Sequence, residues 1–216
     1  MHKQTAETVL ANHPILDGAP SPVLRGLLVS SVTRRVEVGQ VLCGAHARTG
    51  RVWFVAQGLL QSTIQSRRGS PVTIEVLRDG EAFGYLNCWM QEPHVEEVSG
   101  LVPSVVVGVP AERFLAFVQD HAPASAAVLR ETAERMRSLV RLRAISTEPA
   151  SARVRSVLAF LHDKMGPTIP MTREMIAMVA GLTTETVSRS MAPLARRGIV
   201  DLRRGAVEIL APERLS

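Results

Sequence analysis

The spacing of apolar and polar residues changes along the chain. From about Ser31 to Pro110, short apolar segments are separated by glycines, which favour turns. Val72–Val76 alternates apolar and polar residues, as a half-buried strand does, whereas Val52–Val55 and Val105–Val109 are continuous apolar runs typical of strands inside a sandwich or roll. The pattern predicts an antiparallel β domain, preceded by a helix around Pro20–Ser30.

After the β region the apolar period becomes helical. Ala111–Gln119 predicts a short helix and Ala124–Ile145 a long one. Steps of four, three and four residues separate a first apolar stripe, which we call the seam: Leu129, Ala133, Met136 and Val140. A second stripe lies beside it: Leu139, Leu142 and Ile145. Heptad spacing is typical of a helix that packs along a partner helix, so the seam predicts a homodimer; alternatively, both stripes pack on the β domain of the same chain.

A break in the helical pattern marks the start of a C-terminal domain. The break is at Thr147–Pro149, because proline disfavours helix in the residue before it and is well tolerated at the start of a new helix. A further amphipathic helix, Ala150–Met165, ends at Gly166 and Pro167. We therefore expect three parts: residues 1–121, the dimerisation helix and hinge 122–147, and residues 148–216.

Residues 172–209 have the spacing of a helix-turn-helix followed by a hairpin. Thr172 and Thr183 stand where each helix favours a hydroxyl N-cap, Gly181 stands at the turn, and Ala177 lies where the two helices approach most closely. Two apolar segments, Ile199–Leu202 and Ala206–Leu210, flank an arginine-rich turn and predict a wing with a basic tip.

The second helix of this pair has one apolar and one polar face. Val187, Met191 and Leu194 are spaced to point inward, which turns Glu185, Ser188 and Arg189 outward. Polar residues near a helix N-terminus are what a recognition helix presents to the DNA major groove. The plain alternative is a solvated face with an i, i+4 ion pair between Glu185 and Arg189. Pro193, which has no N–H for the carbonyl of Arg189, is expected to kink this helix.

Composition excludes several classes of protein. The net charge is +5, and 23 of the 25 basic residues are arginines, which suit phosphate and guanine but are weak evidence alone. No apolar stretch is long enough to cross a bilayer, Met1–Thr8 is not a secretory signal, and two cysteines make no disulfide framework or metal spacing. We expect a cytoplasmic protein that is not an enzyme, because no nucleophile–base pair, paired catalytic carboxylates or phosphate-cradling loop is present.

Several segments together resemble one family. Met171–Ala177 and Gly181–Arg189 are similar to the DNA-binding domain of the cyclic-AMP receptor/fumarate-nitrate regulator (CRP/FNR) superfamily. Val52–Gly58, Asp79–Gly84 and Val109–Phe114 resemble segments of the family's β domain, so the resemblance covers nearly the whole chain. It implies an α+β fold: an N-terminal antiparallel β-roll (a double-stranded β-helix), a long dimerisation helix and a C-terminal winged helix-turn-helix.

The resemblance also implies a sequence-specific regulator that binds double-stranded DNA as a homodimer, with RNA polymerase as a further partner if it is an activator. Bases would be read by Thr184, Glu185, Ser188 and Arg189, and phosphates bound by Thr172 and Arg173. Ser188 matches the serine that fumarate-nitrate type members use towards thymine. Thr184 stands where cyclic-AMP receptors have an arginine that reads an outer guanine. The expected half-site is therefore TTGA-like.

The effector is not evident from the sequence. In cyclic-nucleotide-binding members a glutamate follows the Phe-Gly pair and an Arg-Ser pair binds phosphate, whereas here Tyr85 follows Gly84 and Glu96 and Glu97 stand near the phosphate position. Carboxylates repel an anion, so we expect a signal other than cyclic AMP. Haem held by histidine and a redox role for Cys88 stay open, and no metal site is predicted. The alternative function is a dimeric haem- or redox-sensing module that no longer reads DNA.

Overall fold

A computed structural model of the chain describes residues 2–48, 50–65 and 71–215. The chain is a mixed α+β protein with two compact units. One unit comprises Met1–Ser62 and Val76–Arg137, and the other comprises Thr63–Glu75 and Ser138–Ser216.

Eight strands form two four-stranded sheets, which we call the β domain. The strands are β1 Val32–Val36, β2 Val41–Cys43, β3 Arg51–Gln57, β4 Leu59–Gln65, β5 Pro71–Arg78, β6 Ala82–Phe83, β7 Glu97–Gly100 and β8 Ser104–Pro110. One sheet has the order β1-β8-β3-β6 and the other β2-β7-β4-β5. Strand β8 pairs antiparallel with β1 and β3, and β6 pairs antiparallel with β3 at the edge of its sheet. The predicted antiparallel β-roll is confirmed.

Strands β3 and β8 are apolar at successive positions because both faces of their sheet are buried. On β3, Val52 and Phe54 belong to a core formed with helices, whereas Trp53 and Val55 belong to a second core between the two sheets. Strand β8 divides in the same way, with Val107 in the first core and Val106 in the second. The two apolar runs of the sequence are therefore strands, as predicted, and their lack of alternation reflects burial on both sides.

The glycine in the middle of β8 makes room for a tryptophan. A Cβ atom at Gly108 would lie 2.6 Å from Cζ3 of Trp53, the residue paired with it on β3. Real Cβ contacts are almost never under 3.0 Å, so a larger residue at this position would have to displace the ring. Gly108 thus allows a tryptophan to be packed between the sheets.

Five helices accompany these strands: α1 His2–Asn12, α2 Ser21–Val29, α3 Tyr85–Met90, α4 Ala111–Asp120 and α5 Ala122–Ile145. Helices α2, α4 and α5 lie where the sequence predicts them, within a few residues. Helices α1 and α3 were not predicted. Helix α3 follows Gly84, which has a left-handed backbone (φ 85°) that favours glycine.

The two apolar stripes of helix α5 differ in how much of their side chains is exposed. Leu142 and Ile145, from the second stripe, are buried, whereas Leu139 is 40% exposed. The seam is not covered by its own chain: Leu129 is 70%, Met136 67% and Val140 65% exposed. The alternative that both stripes pack within one chain is therefore wrong for the seam.

The C-terminal part consists of three helices and a three-stranded sheet. These are α6 Ala150–Met165, β9 Thr168–Ile169, α7 Arg173–Ala180, α8 Thr184–Arg196, β10 Val200–Arg203 and β11 Ala206–Ile209, and the strand order is β10-β11-β9. The wing has the predicted hairpin, and β9 is an added strand. Within the described ranges, no helix combines the length and the apolar character needed to cross a bilayer.

Candidate nucleic-acid interface

Local hydrogen bonds and one left-handed glycine define where the helices of the predicted helix-turn-helix begin and where the first one ends. The Thr172 hydroxyl accepts from the N–H of Met175 and begins α7, and the Thr183 hydroxyl accepts from the N–H of Thr186 and begins α8, both at 3.2 Å. Helix α7 ends at Gly181, whose φ of 61° and ψ of 40° are left-handed. Each of these capping positions is as the sequence predicts.

The inward faces of α7 and α8 hold the pair together. Ala177, where the helices were expected to meet, is 3% exposed, and Ile176, Val187 and Met191 are fully buried. Leu182, expected to fill the corner, is half-buried. Because the inner face is fixed by this packing, the outer face of α8 has a defined orientation.

The outer face of α8 presents Glu185 and Arg189 to solvent. Their side chains are 87% and 73% exposed, and the nearest atoms of the carboxylate and the guanidinium are 4.0 Å apart. An exposed pair at this distance contributes little to stability, so both side chains are available to an incoming ligand. Thr184 is exposed and Ser188 half-buried on the same helix.

Helix α8 continues through Pro193 to Arg196. Proline removes the hydrogen bond that would reach the carbonyl of Arg189, yet the helix does not end there. The residues expected to read bases all precede Pro193, in the first two turns.

A cleft of about 500 Å³ lies between these helices and the wing. Its walls include Thr172 and Arg173 from α7, Thr184 and Ser188 from α8, and the wing tip from Arg203 to Ala206. The structure thus brings together four of the six residues predicted to contact DNA. Glu185 and Arg189 are outside this cleft, on the exposed surface of α8.

The two arginines at the wing tip differ in their pairing. Asp201 and Glu208 stand opposite each other on β10 and β11, where like charges repel. Arg203 bonds to both carboxylates, with its Nε 3.0 Å from Oδ2 of Asp201, and these contacts raise the pKa of Arg203. Arg204 is exposed and has no ion-pair partner among the residues described. Arg204 therefore keeps its charge unneutralised at the tip, whereas Arg203 does not, a distinction that the sequence does not reveal.

In the β domain, the segment that resembles a nucleotide cassette contains buried polar side chains. Tyr85 is fully buried, and burial, with the nearby charge of Glu131, raises the pKa of its phenol. His94, 1% exposed, lies 3.1 Å from Oε1 of Glu96, and its hydrogen bond lowers the pKa of that carboxyl. Glu96 therefore carries its charge at neutral pH.

The residue placement gives no support to a redox role for Cys88. Outside the gaps at residues 1, 49, 66–70 and 216, no group of three or more His, Cys, Asp or Glu residues is arranged to hold a metal ion. Burial raises the pKa of the Cys88 thiol, which disfavours the reactive thiolate. Cys43 is buried.

A capped helix pair with an exposed polar second helix, followed by a hairpin with a cationic tip, is a winged helix-turn-helix, and it defines a DNA-binding protein. Residues 152–216 match the family described as "Crp-like helix-turn-helix domain", and residues 33–121 match the family described as "Cyclic nucleotide-binding domain". The chain belongs to the CRP/FNR superfamily of transcription regulators.

Individual relatives agree with this assignment. The regulatory protein CysR of Synechococcus elongatus is 27% identical over the whole of this chain and 96% of its own length. The cyclic AMP receptor protein of Thermus thermophilus is 26% identical over 73% of this chain and 74% of its own length. Among solved structures, FixK2 from Bradyrhizobium japonicum superposes with a TM-score of 0.74 at 18% identity, covering 86% of this chain and 95% of FixK2. A CRP/FNR-family regulator from Eubacterium rectale has a TM-score of 0.70 at 22% identity, covering 94% and 95%.

Proposed function

We propose that this regulator is a homodimer joined along the seam of α5, that it binds a palindromic TTGA-like operator, and that its signal is not cyclic AMP. The observation that carries the proposal is the combination of two exposed surfaces: the apolar seam of α5 and the polar face of α8. We further propose the division into residues 1–121, 122–147 and 148–216, a cytoplasmic location, and contact with RNA polymerase if the protein is an activator.

Base recognition follows from the chemistry of the α8 face. Glu185 accepts from the N4 amino group of cytosine, and Arg189 donates in a fork to O6 and N7 of guanine. Because Glu185 and Arg189 are one turn apart on one face of α8, they reach the two bases of a single G·C pair, one on each strand. Ser188 is placed towards thymine, and Thr184 lacks the fork that an outer guanine requires, which favours TTGA over GTGA.

The remaining predicted contacts set position and symmetry. Thr172 and Arg173, exposed at the start of α7, are placed to contact phosphates, which fix register without choosing sequence. Arg204 adds a phosphate contact from the wing. A two-fold dimer requires an inverted repeat, with half-sites one helical turn, about 34 Å, apart.

Selection of bound duplexes from a random DNA pool is expected to recover inverted repeats with a TGA core. Arg189→Ala should lose roughly 1–3 kcal/mol of binding free energy and relax the preference at the guanine, because the bidentate contact is removed. Arg173→Ala serves as the matched control: it should weaken all sequences alike and reduce the salt slope by about one. Sites without a TGA core, or an unchanged motif for Arg189→Ala, would contradict the assignment of α8.

Cyclic AMP and cyclic GMP are expected to bind no more tightly than millimolar. Tyr85 fills the position next to Gly84, and the charged carboxylate of Glu96 opposes a phosphate. Isothermal calorimetry with each nucleotide measures this directly. A micromolar site for either nucleotide would overturn this interpretation of the cassette, while leaving DNA recognition untouched.

A further inference from the structure

Helix α5 binds both backbone polar groups of one residue at the sheet edge. The N–H of Ala82 on β6 donates to Oε1 of Glu131, and its carbonyl accepts from Nη1 of Arg135, each at 3.0 Å. Strand β6 is the last strand of its sheet, where outward N–H and C=O groups lack a strand partner. Two charged side chains, one turn apart on α5, take the place of that strand, and charge-assisted hydrogen bonds of this kind are strong.

Tyr85 occupies the space beside this contact. It is among the largest fully buried side chains of the described residues. The Arg135 guanidinium lies over its ring, 5.6 Å from the centroid, and the Thr132 hydroxyl is 3.5 Å from the Tyr85 hydroxyl. Tyr85 follows Gly84 and opens α3, within the residues 33–121 that match the cyclic nucleotide-binding domain family. The chain's own aromatic ring therefore fills this part of the domain.

These contacts leave the dimer seam free. In the heptad that places Leu129, Ala133, Met136 and Val140 at the core positions, Glu131 and Arg135 fall on the outer positions. One face of α5 can thus bind the β domain while the seam binds a partner helix.

A ligand shifts a two-state protein only by making contacts in one state that are missing in the other. We propose that Tyr85, Glu131 and Arg135 make such contacts in place of an effector: they tie β6 to α5 and hold the β domain in the arrangement that supports DNA binding, without any small molecule. This inference rests on the proposed function, a dimer that binds DNA through α8. The three residues are positioning residues, since they act on DNA through α5.

The test compares two matched pairs of substitutions on one helix. Glu131→Met and Arg135→Met remove the contacts to Ala82, and Glu134→Met and Arg137→Met remove the same charges from exposed positions. Affinity for the selected operator is measured by mobility shift, with protein that native mass spectrometry shows to be free of retained small molecules. Light scattering is used to choose a concentration at which every variant is dimeric.

Wild-type protein is expected to bind the operator without additives, and the first pair to bind at least about tenfold more weakly, while the control pair is unchanged. Glu131→Gln keeps an acceptor oxygen for the Ala82 N–H and should restore most of the affinity. Circular dichroism melting separates the effect from simple loss of fold, because all assays are run well below the melting temperature of each variant.

Two results would overturn the proposal. One is unchanged operator affinity for Glu131→Met and Arg135→Met, which would make the contacts purely structural. The other is wild-type protein that binds the operator only after small molecules from a cell extract are added. Both leave the proposed function standing, whereas failure to recover any operator from the random pool would remove the proposed function itself.

Discussion

Glutamates in place of Met136 and Val140 are expected to give a folded monomer that binds its operator at least a thousandfold more weakly. Both side chains are about two-thirds exposed in the single chain, so the substitutions cost the monomer little. In a two-fold dimer the same change buries four carboxylates along the seam and removes four apolar contacts of about 1.5–3 kcal/mol each. This exceeds the roughly 4 kcal/mol that corresponds to a thousandfold change.

The measurement is light scattering together with operator binding, and circular dichroism reports whether the fold is kept. Val29→Glu and Val38→Glu provide controls, because these residues are 83% and 56% exposed but lie outside both the seam and the DNA-binding part of the chain. They should leave both the dimer and the affinity unchanged. A dimer that survives the Met136 and Val140 substitutions would show that α5 is joined elsewhere.

The second large effect concerns pH. His13 is 3% exposed, its Nδ1 accepts from the N–H of Ile15, and its ring meets Phe54 edge-on with centroids 4.8 Å apart. Burial lowers its pKa from 6.5 to about 4, partly offset by the nearby backbone of Gly80. The unfolded chain therefore binds more protons than the folded chain between these values. Stability from this group is complete above pH 6.5 and decreases as pH falls towards 4, by about 3 kcal/mol.

Urea unfolding at a series of pH values tests this expectation. His13→Asn keeps a neutral acceptor at the cap position and should show a flatter pH dependence between 6.5 and 4, whatever its absolute stability. Glu96 affects both proteins equally. Its pKa is lowered, so its contribution to the free energy of unfolding is lost only as pH falls through that lower value, in wild type and in His13→Asn alike. Equal slopes for wild type and variant would refute the role of His13.

The parts of the fold that sequence predicts are those set by local periodicity. The seam of α5, the two caps at Thr172 and Thr183, and the outward face of α8 all follow from helix geometry, which depends on neighbours within a few positions. Helix α3 was missed because six residues are too few to establish a period. Its conformation depends on the left-handed Gly84 and on the burial of Tyr85.

The parts that sequence did not reveal join residues by register or by distance. Arg203 is neutralised because the hairpin register places Asp201 opposite Glu208, and no spacing rule predicts that pairing. The hydrogen bonds that join Ala82 to Glu131 and Arg135 span about fifty residues of chain. Sequence therefore predicts the DNA-reading face more completely than the interior contacts of the β domain.

The positions of the aromatic residues determine what spectroscopy can see. Both tryptophans and the only tyrosine, Trp53, Tyr85 and Trp89, precede α4, and the chain beyond residue 148 has a single aromatic residue, Phe160. Trp53 is packed between the sheets at 3% exposure, whereas Trp89 on α3 is 45% exposed. Intrinsic emission therefore comes entirely from the β domain, and melting of the winged helix-turn-helix passes unseen in it. In a Trp53→Phe protein, Trp89 becomes the sole tryptophan, four residues from the buried Tyr85.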